Sequence, residues 1–313
     1  MKGTVVRSTG SWYEVSMHKS KEVLACRIKG KFRLDGMKLT NPVAVGDEVV
    51  IENTADDYQI VEILPRKNYV VRQSPRKKHY LHILASNVDQ ALLIVSMQAP
   101  KLKQGFIDRF LLMTEPYNIP VIIVFNKFDI YDMQDIALYE HLKDLYETIG
   151  YEVCCTSALD KKGLGFIEKR IKDKVTLVAG QSGVGKSSLV NALDIGVDLK
   201  TKEISNYTGK GQHTTTFAEM FKMSIGGSLI DTPGIKTLSF NHLKTMDVAH
   251  NFREFFAKGG LCKYNDCTHR NEPKCAVLIA IEEGEISQLR YQNYIQILSE
   301  IEDQNYWEIN TDF

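Results

Sequence analysis

The chain has 313 residues, 43% of them hydrophobic and 25% charged, a globular composition and a length that suits two or three domains better than one core. Its longest apolar runs, such as Ala91–Val95 and Val121–Phe125, fall far short of a membrane span, and the opening MKGTVVRSTG has no apolar stretch after its lysine, so neither a membrane anchor nor a secretory leader is expected and the cytoplasm is. The net charge is zero, yet residues 1–84 carry 15 Lys+Arg against 9 Asp+Glu, a net of +6 that the remainder offsets; a basic front suits a polyanionic partner, although a solvated charged face has the same composition.

Residues 1–64 predict short strands at Gly3–Arg7, Trp12–Val15, Val23–Ile28, Glu48–Ile51 and Gln59–Leu64, with turn signals at Thr9-Gly10, Asp35-Gly36, Asn41-Pro42 and Gly46-Asp47. Five strands without a helical pattern suggest a small barrel of the oligonucleotide/oligosaccharide-binding type, placed at 1–68. Its run Lys29-Gly-Lys31-Phe32-Arg33 offers cations for phosphates and an aromatic ring for a base, though a plain solvated edge would read the same way. A basic link over 65–87 follows, with Arg72, Arg76, Lys77 and Lys78, and with Pro65 and Pro75 expected to break regular structure. From Val88 the pattern becomes buried apolar strands (Ala91–Val95, Val121–Phe125, Val175–Ala179, Ser228–Ile230) alternating with helices (Phe106–Tyr117, Ile136–Ile149, Gly165–Lys172, Ser187–Leu193), an α/β sheet placed at 69–240. Residues 241–313 are expected to be helical, interrupted by a Cys/His cluster.

The chemistry lies at the ends of those strands. Asn126-Lys127-Phe128-Asp129 is an N-K-x-D sequence, in which the Asp129 carboxylate accepts from guanine N1–H and the exocyclic amine; adenine lacks both donors. Thr156-Ser157-Ala158, after the strand Glu152–Cys155, suits a backbone contact to guanine O6. Gly180-Gln181-Ser182-Gly183-Val184-Gly185-Lys186-Ser187, followed by Ser188, matches G-x-x-x-x-G-K-[ST] between a strand and a helix, the context in which backbone N–H groups cradle phosphates. Lys186 is expected at the β- and γ-phosphates and Ser187 on Mg²⁺. The segment Gly209–Thr216 contains His213 and a candidate Mg²⁺-closing threonine, Thr215, with Thr214 as the alternative. Asp231-Thr-Pro-Gly234 is the D-x-x-G element, Asp231 holding Mg²⁺ through water and the Gly234 N–H meeting the γ-phosphate.

These are the elements of a guanine-nucleotide hydrolase in the wrong order. N-K-x-D and S-A precede the phosphate loop, as in a circularly permuted chain. An ATP-using kinase is disfavoured by Asp129. Near the C-terminus, Cys262-x4-Cys267-x-His269-x5-Cys275 has the spacing of one structural, tetrahedral Zn²⁺, a staple whose loss is expected to leave the nucleotide domain intact.

Together these motifs resemble one family over nearly the whole chain: the circularly permuted, ribosome-small-subunit-dependent GTPases (RsgA, also called YjeQ). The resemblance implies a late assembly factor that binds the small ribosomal subunit and its rRNA and hydrolyses GTP to GDP under stimulation by that subunit; the sequence itself carries no strong sign of oligomerisation, so a monomer is expected. The alternative is a nucleotide-gated RNA-binding module whose hydrolysis is incidental. Ile235 stands where many GTPases carry a water-orienting Gln. The family pattern suggests that His213 positions the water instead; a loop-capping or RNA-contacting His213 is the competing reading. Gly183 stands where potassium-using relatives carry Asn, so no K⁺ site is predicted.

Overall fold

A computed structural model describes residues 1–29, 39–54, 57–73, 80–193, 218–232, 240 and 243–310, with Gln73 and residues 304–310 as backbone alone. Among the described residues, β1 (Lys2–Ser8), β2 (Tyr13–Met17), β3 (Val23–Ile28), β4 (Glu48–Asn53) and β5 (Tyr58–Ile63) form the expected barrel. β1, β2 and β3 pair antiparallel, β3 pairs parallel with β5, β5 pairs with β4, and β4 returns to β1, so the sheet closes. The period-2 pattern sends Val5, Tyr13, Val15, Cys26, Val49, Ile51 and Ile60 inward, where they are buried and fill the interior.

The basic link is more regular than expected. β6 (Tyr69–Gln73) and β7 (Leu81–Ser86) pair as an antiparallel hairpin, with Arg72 opposite His82. Pro65 precedes β6 rather than interrupting it, and in the strand the β-branched Val70 and Val71 are buried; Pro75 lies outside the described residues. Barrel and hairpin touch at Gly46: a Cβ there would lie 2.0 Å from the Ser86 carbonyl oxygen, and its φ is +96°, so glycine is required twice over.

The central unit comprises β8 (Gln90–Val95), α1 (Gly105–Thr114), β9 (Val121–Phe125), α2 (Met133–Thr148), β10 (Glu152–Cys155), α3 (Leu164–Ile171), β11 (Val175–Gly180), α4 (Lys186–Leu193), β12 (Glu219–Lys222) and β13 (Ser228–Asp231). The strand order is β10-β9-β8-β11-β13-β12, parallel except for β12. Alternation along the strands gives each face a core: Leu92, Ile94 and Val178 meet α3 and α4, whereas Leu93, Val95, Ile123 and Phe125 meet α1 and α2. β12 was not expected; its Glu-Met-Phe-Lys is short and only half-buried, a weak strand signal. It matters because it also pairs with β1, making one continuous sheet from the barrel into the central unit.

Among the described residues, the C-terminal helices α5 (Thr245–His250), α6 (Arg253–Gly259), α7 (Ala276–Glu282) and α8 (Gln288–Asn310) form no separate core. Phe252, Phe255, Tyr294, Ile297 and Leu298 join the same apolar cluster as Ile107, Phe110 and Leu111 of α1. Inside it the buried Arg290 donates to Asp108 of α1 at 2.6 Å and to both carboxylate oxygens of Glu254 at 2.7 and 2.9 Å.

Candidate nucleotide site and metal centre

β8, β9, β10, β11 and β13 all end on one edge of the sheet, where open α/β sheets bind ligands. From the end of β11 the chain turns through Gly180, Gly183 and Gly185, with φ of +152°, +86° and +90°, into α4. A Cβ on Gly180 would come within 2.3 Å of the Ile94 carbonyl oxygen, and one on Gly185 within 2.5 Å of Asn126 Nδ2. The turn is a phosphate loop by geometry as well as by spelling.

Lys186 opens α4 and folds back across the loop, its ammonium donating to the carbonyls of Gly180 at 3.0 Å and Gln181 at 2.9 Å. Burial lowers its pKa, and the nearby Asp231 opposes the shift. Asp231 ends β13, beside Val178 of β11. Burial pushes its carboxyl up to about 6, Lys186 pulls it back and Glu219 pushes it further. A half-buried carboxylate at the end of β13 and the Ser187 hydroxyl in the first turn of α4 are hard-oxygen donors of the kind that fits Mg²⁺. The next residue, Thr232, is pinned by its hydroxyl to the Val178 carbonyl at 3.1 Å.

At the end of β9, Asn126 is buried and ties two motifs together. Its Nδ2 donates to the Val184 carbonyl in the phosphate loop at 2.9 Å, and its Oδ1 accepts from Thr156 Oγ1 at 3.0 Å. Lys127 has φ +64° and donates its ammonium to the Ala99 carbonyl at 2.6 Å, so the loop after β8 also lines the site. The Phe128 N–H bonds the Thr156 carbonyl, and Lys162 lies 3.7 Å from the centre of the Phe128 ring. Ser157 is buried, its N–H donating to the Lys162 carbonyl and its Oγ accepting from the Asp160 N–H; Ala158 is half-buried. Asp129 is exposed at the rim. Its preference for guanine therefore needs a base to cover it before the desolvation cost against adenine arises. His213, Thr214, Thr215 and Gly234 lie outside the described residues.

The four predicted metal ligands converge. The ligand atoms of Cys262, Cys267, His269 and Cys275 all lie within 4.8 Å of one another. Cys262 Sγ is 3.9 Å from Cys275 Sγ, and His269 Nδ1 is 3.7 and 3.3 Å from those two sulfurs. Tetrahedral Zn–S bonds of about 2.3 Å put sulfurs roughly 3.8 Å apart, so the cluster is compatible with zinc. Left-handed residues at His269 and Lys274 bend the chain around it, and Cys275 caps α7 by accepting from the Leu278 N–H. Glu272 accepts from Thr268 N and Oγ1, Arg270 N and Asn271 N, holding the knuckle's turn. Partial burial alone would raise its pKa; those donors outweigh it and hold it at about 2.

Comparison with known proteins matches this arrangement from end to end. Residues 63–241 match the family model described as RsgA GTPase, and residues 2–61 that of the RsgA N-terminal domain. The small ribosomal subunit biogenesis GTPase RsgA of Bacteroides fragilis is 47% identical, with 98% of this chain and 99% of the relative covered. The chain belongs to the RsgA GTPase family. It is accordingly a GTP hydrolase. RsgA of Phocaeicola vulgatus is 46% identical over 98% of this chain and 99% of its own length. Among solved structures, YjeQ from Thermotoga maritima superposes with a TM-score of 0.76 at 33% identity (96% of this chain, 98% of that one), and YloQ, described as a circularly permuted GTPase, with 0.72 at 31% (97% and 95%).

Several contacts of this RsgA-family site were not foreseen in the sequence: the Thr156 hydroxyl orienting Asn126, the Ala99 carbonyl receiving Lys127, and Glu219 standing opposite Asp231. Short hydroxyl or carbonyl contacts of that kind leave no spacing signature. Of the RNA-binding candidates, Lys29 is exposed and paired with Glu52 at 3.2 Å; Lys31, Phe32, Arg33, Arg76, Lys77 and Lys78 lie outside the described residues.

Proposed function

We propose that the chain is a late maturation factor of the small ribosomal subunit, binding that subunit and its rRNA and hydrolysing GTP under its stimulation. The observation that carries the reading is the convergence of the phosphate loop, Asn126 and Asp231 on one sheet edge in a chain matching RsgA proteins over nearly its full length. In this reading Asp129 and the Ala158 N–H read guanine, since the Ser157 N–H is already spent on Lys162. The N–H groups of Gly183 to Ser188 hold the phosphates, and Lys186 exchanges its two loop carbonyls for β- and γ-phosphate oxygens, an exchange that leaves no ammonium unpaired. Ser187, Thr215 and Asp231 would hold Mg²⁺, which when bound neutralises charge developing on the phosphate oxygens. His213 orients a water whose oxygen attacks the γ-phosphorus; the bond from that phosphorus to the β–γ bridging oxygen breaks, giving GDP and inorganic phosphate.

The Cys262, Cys267, His269 and Cys275 set holds a structural zinc in the same reading, and the basic run Lys29–Arg33 with Arg76, Lys77 and Lys78 meets rRNA phosphates. The chain works as a cytoplasmic monomer; among the described residues no helix is long and apolar enough to cross a membrane. The test is GTP turnover with and without purified small subunits. The reading expects stimulation of at least about tenfold, the order an added transition-state contact supplies, and equal rates would sink it in favour of a nucleotide-gated binding module.

A further inference from the structure

The barrel and the GTPase sheet meet in a row of charged side chains. Arg7 on β1 stands opposite Glu219 on β12, and Glu219 stands opposite Asp231 on β13. Directly opposed residues of antiparallel strands project from the same face with Cβ atoms about 5 Å apart. The three therefore share one side of the sheet, leading from the barrel to the carboxylate assigned above to magnesium. Arg7 Nε lies 3.8 Å from the Glu219 carboxylate, and its Nη1 lies 3.4 Å from Glu14. Two carboxylates opposed across a strand pair repel, an arrangement that disfavours the sheet unless cations answer them. Here Arg7 answers Glu219 from the barrel, and Lys186 answers Asp231 from the phosphate loop.

We propose that Glu219 is a positioning carboxylate for the magnesium site, strengthening Mg²⁺ binding at Asp231 through its charge, and that Arg7 of the barrel sets how much of that charge the metal feels. This rests on the reading of Asp231 as a magnesium-holding residue. Arg7 is 43% exposed and already divides itself between two acids, so an anion docking on the barrel can draw it off Glu219. The barrel thereby acts on nucleotide retention without touching the nucleotide.

The test follows a fluorescent GDP analogue on the full chain, its affinity measured across a magnesium titration and in EDTA. Glu219→Gln raises the half-saturating Mg²⁺ concentration about three- to tenfold, at or below the lower end of effects seen when groups behind metal ligands are removed. Its affinity in EDTA stays within about twofold of wild type, the size of ordinary surface substitutions. Arg7→Ala lowers the half-saturating concentration by about two- to fourfold, as expected of a partly exposed ion pair. The double variant follows Glu219→Gln, because Arg7 acts only through Glu219; Glu219→Asp, which keeps the charge, stays near wild type. A wild-type magnesium dependence in Glu219→Gln, a loss of affinity in EDTA as large as in magnesium, or an Arg7→Ala effect that persists in the double variant would each overturn the proposal. Asp231→Asn separates the two levels. If it shifts the magnesium dependence and Glu219→Gln does not, only this inference fails; if neither shifts, the reading of Asp231 fails with it.

Discussion

The GTPase unit carries an appended domain at each end, and the two joints are built differently. At the front, the barrel closes its own core, and the joint is mainly polar: the buried Asp47 accepts from Arg66 at 2.6 Å and from Ser86 Oγ at 2.6 Å, Asn87 donates to the Gly46 carbonyl, and β1 meets β12, while Ala44 and Val45 reach the apolar clusters of the hairpin and GTPase unit. At the back, the described residues of the C-terminal helices have no core of their own and share that of α1, with the Arg290 network inside it. A joint of hydrogen bonds, one strand pair and a few small apolar side chains lets two bodies fold separately and signal through few contacts; an extensively shared core makes one cooperative unit. In the proposal above the barrel is a lever on the GTPase, whereas the zinc-compatible helices share its core.

The sharpest way to break that comparison is Arg290→Ala. It leaves the buried Asp108 and the half-buried Glu254 without their cation, which should cost about 3–5 kcal/mol, a large share of a domain's stability. Thermal unfolding of the variant should show the GTPase unit and the C-terminal helices melting together at a lower temperature. A transition in which nucleotide binding survives at the wild-type midpoint would show that the back joint is separable after all.

Metal removal tests the same joint from its far side. The shared core revises the expectation that the nucleotide domain ignores the zinc knuckle. Cys267→Ala, or chelation, should lower the stability of both by about 2–4 kcal/mol, less than a free zinc finger loses because the apolar cluster remains. The measurement is metal content alongside GDP-binding midpoints in urea; a metal-free chain with an unchanged midpoint refutes it.

At the front joint the effects should be smaller and confined. Gly46→Ala forces a methyl to within 2.0 Å of the Ser86 carbonyl oxygen at a φ of +96°, so the loop must move, at about 1–3 kcal/mol. Intrinsic GTP turnover should persist while subunit stimulation falls; equal loss of both would make the barrel part of the body. Smallest in stability is the triple change of Lys29, Lys31 and Arg33 to Ala, expected within about 0.5 kcal/mol of wild type. It should flatten the salt dependence of subunit binding by roughly one unit of slope per lost phosphate contact. Wild-type binding across a salt series would move the RNA contact off this segment.

The local chemistry of the chain was readable in its residues. Gly180–Ser187, Asn126–Asp129, Asp231 and the Cys262–Cys275 set are identified by type and spacing because phosphate, guanine and metal each demand fixed donors within a few residues along the chain. The barrel strands and the two-sided sheet were readable too, since burial on one face or both writes a period into the sequence. What only the tertiary structure decided is what joins distant segments. The hairpin at Tyr69–Ser86 and the half-buried β12 carry weak local signals and form because partners arrive to pair with them. That Arg7 faces Glu219, that Arg290 locks onto Asp108 and Glu254, that Gly46 touches Ser86 and that Asp129 stands exposed are facts of register and packing. A contact between residues tens to hundreds of positions apart is chosen by the whole fold's geometry, so a local motif names the chemistry of a site while the fold alone determines what that site is coupled to.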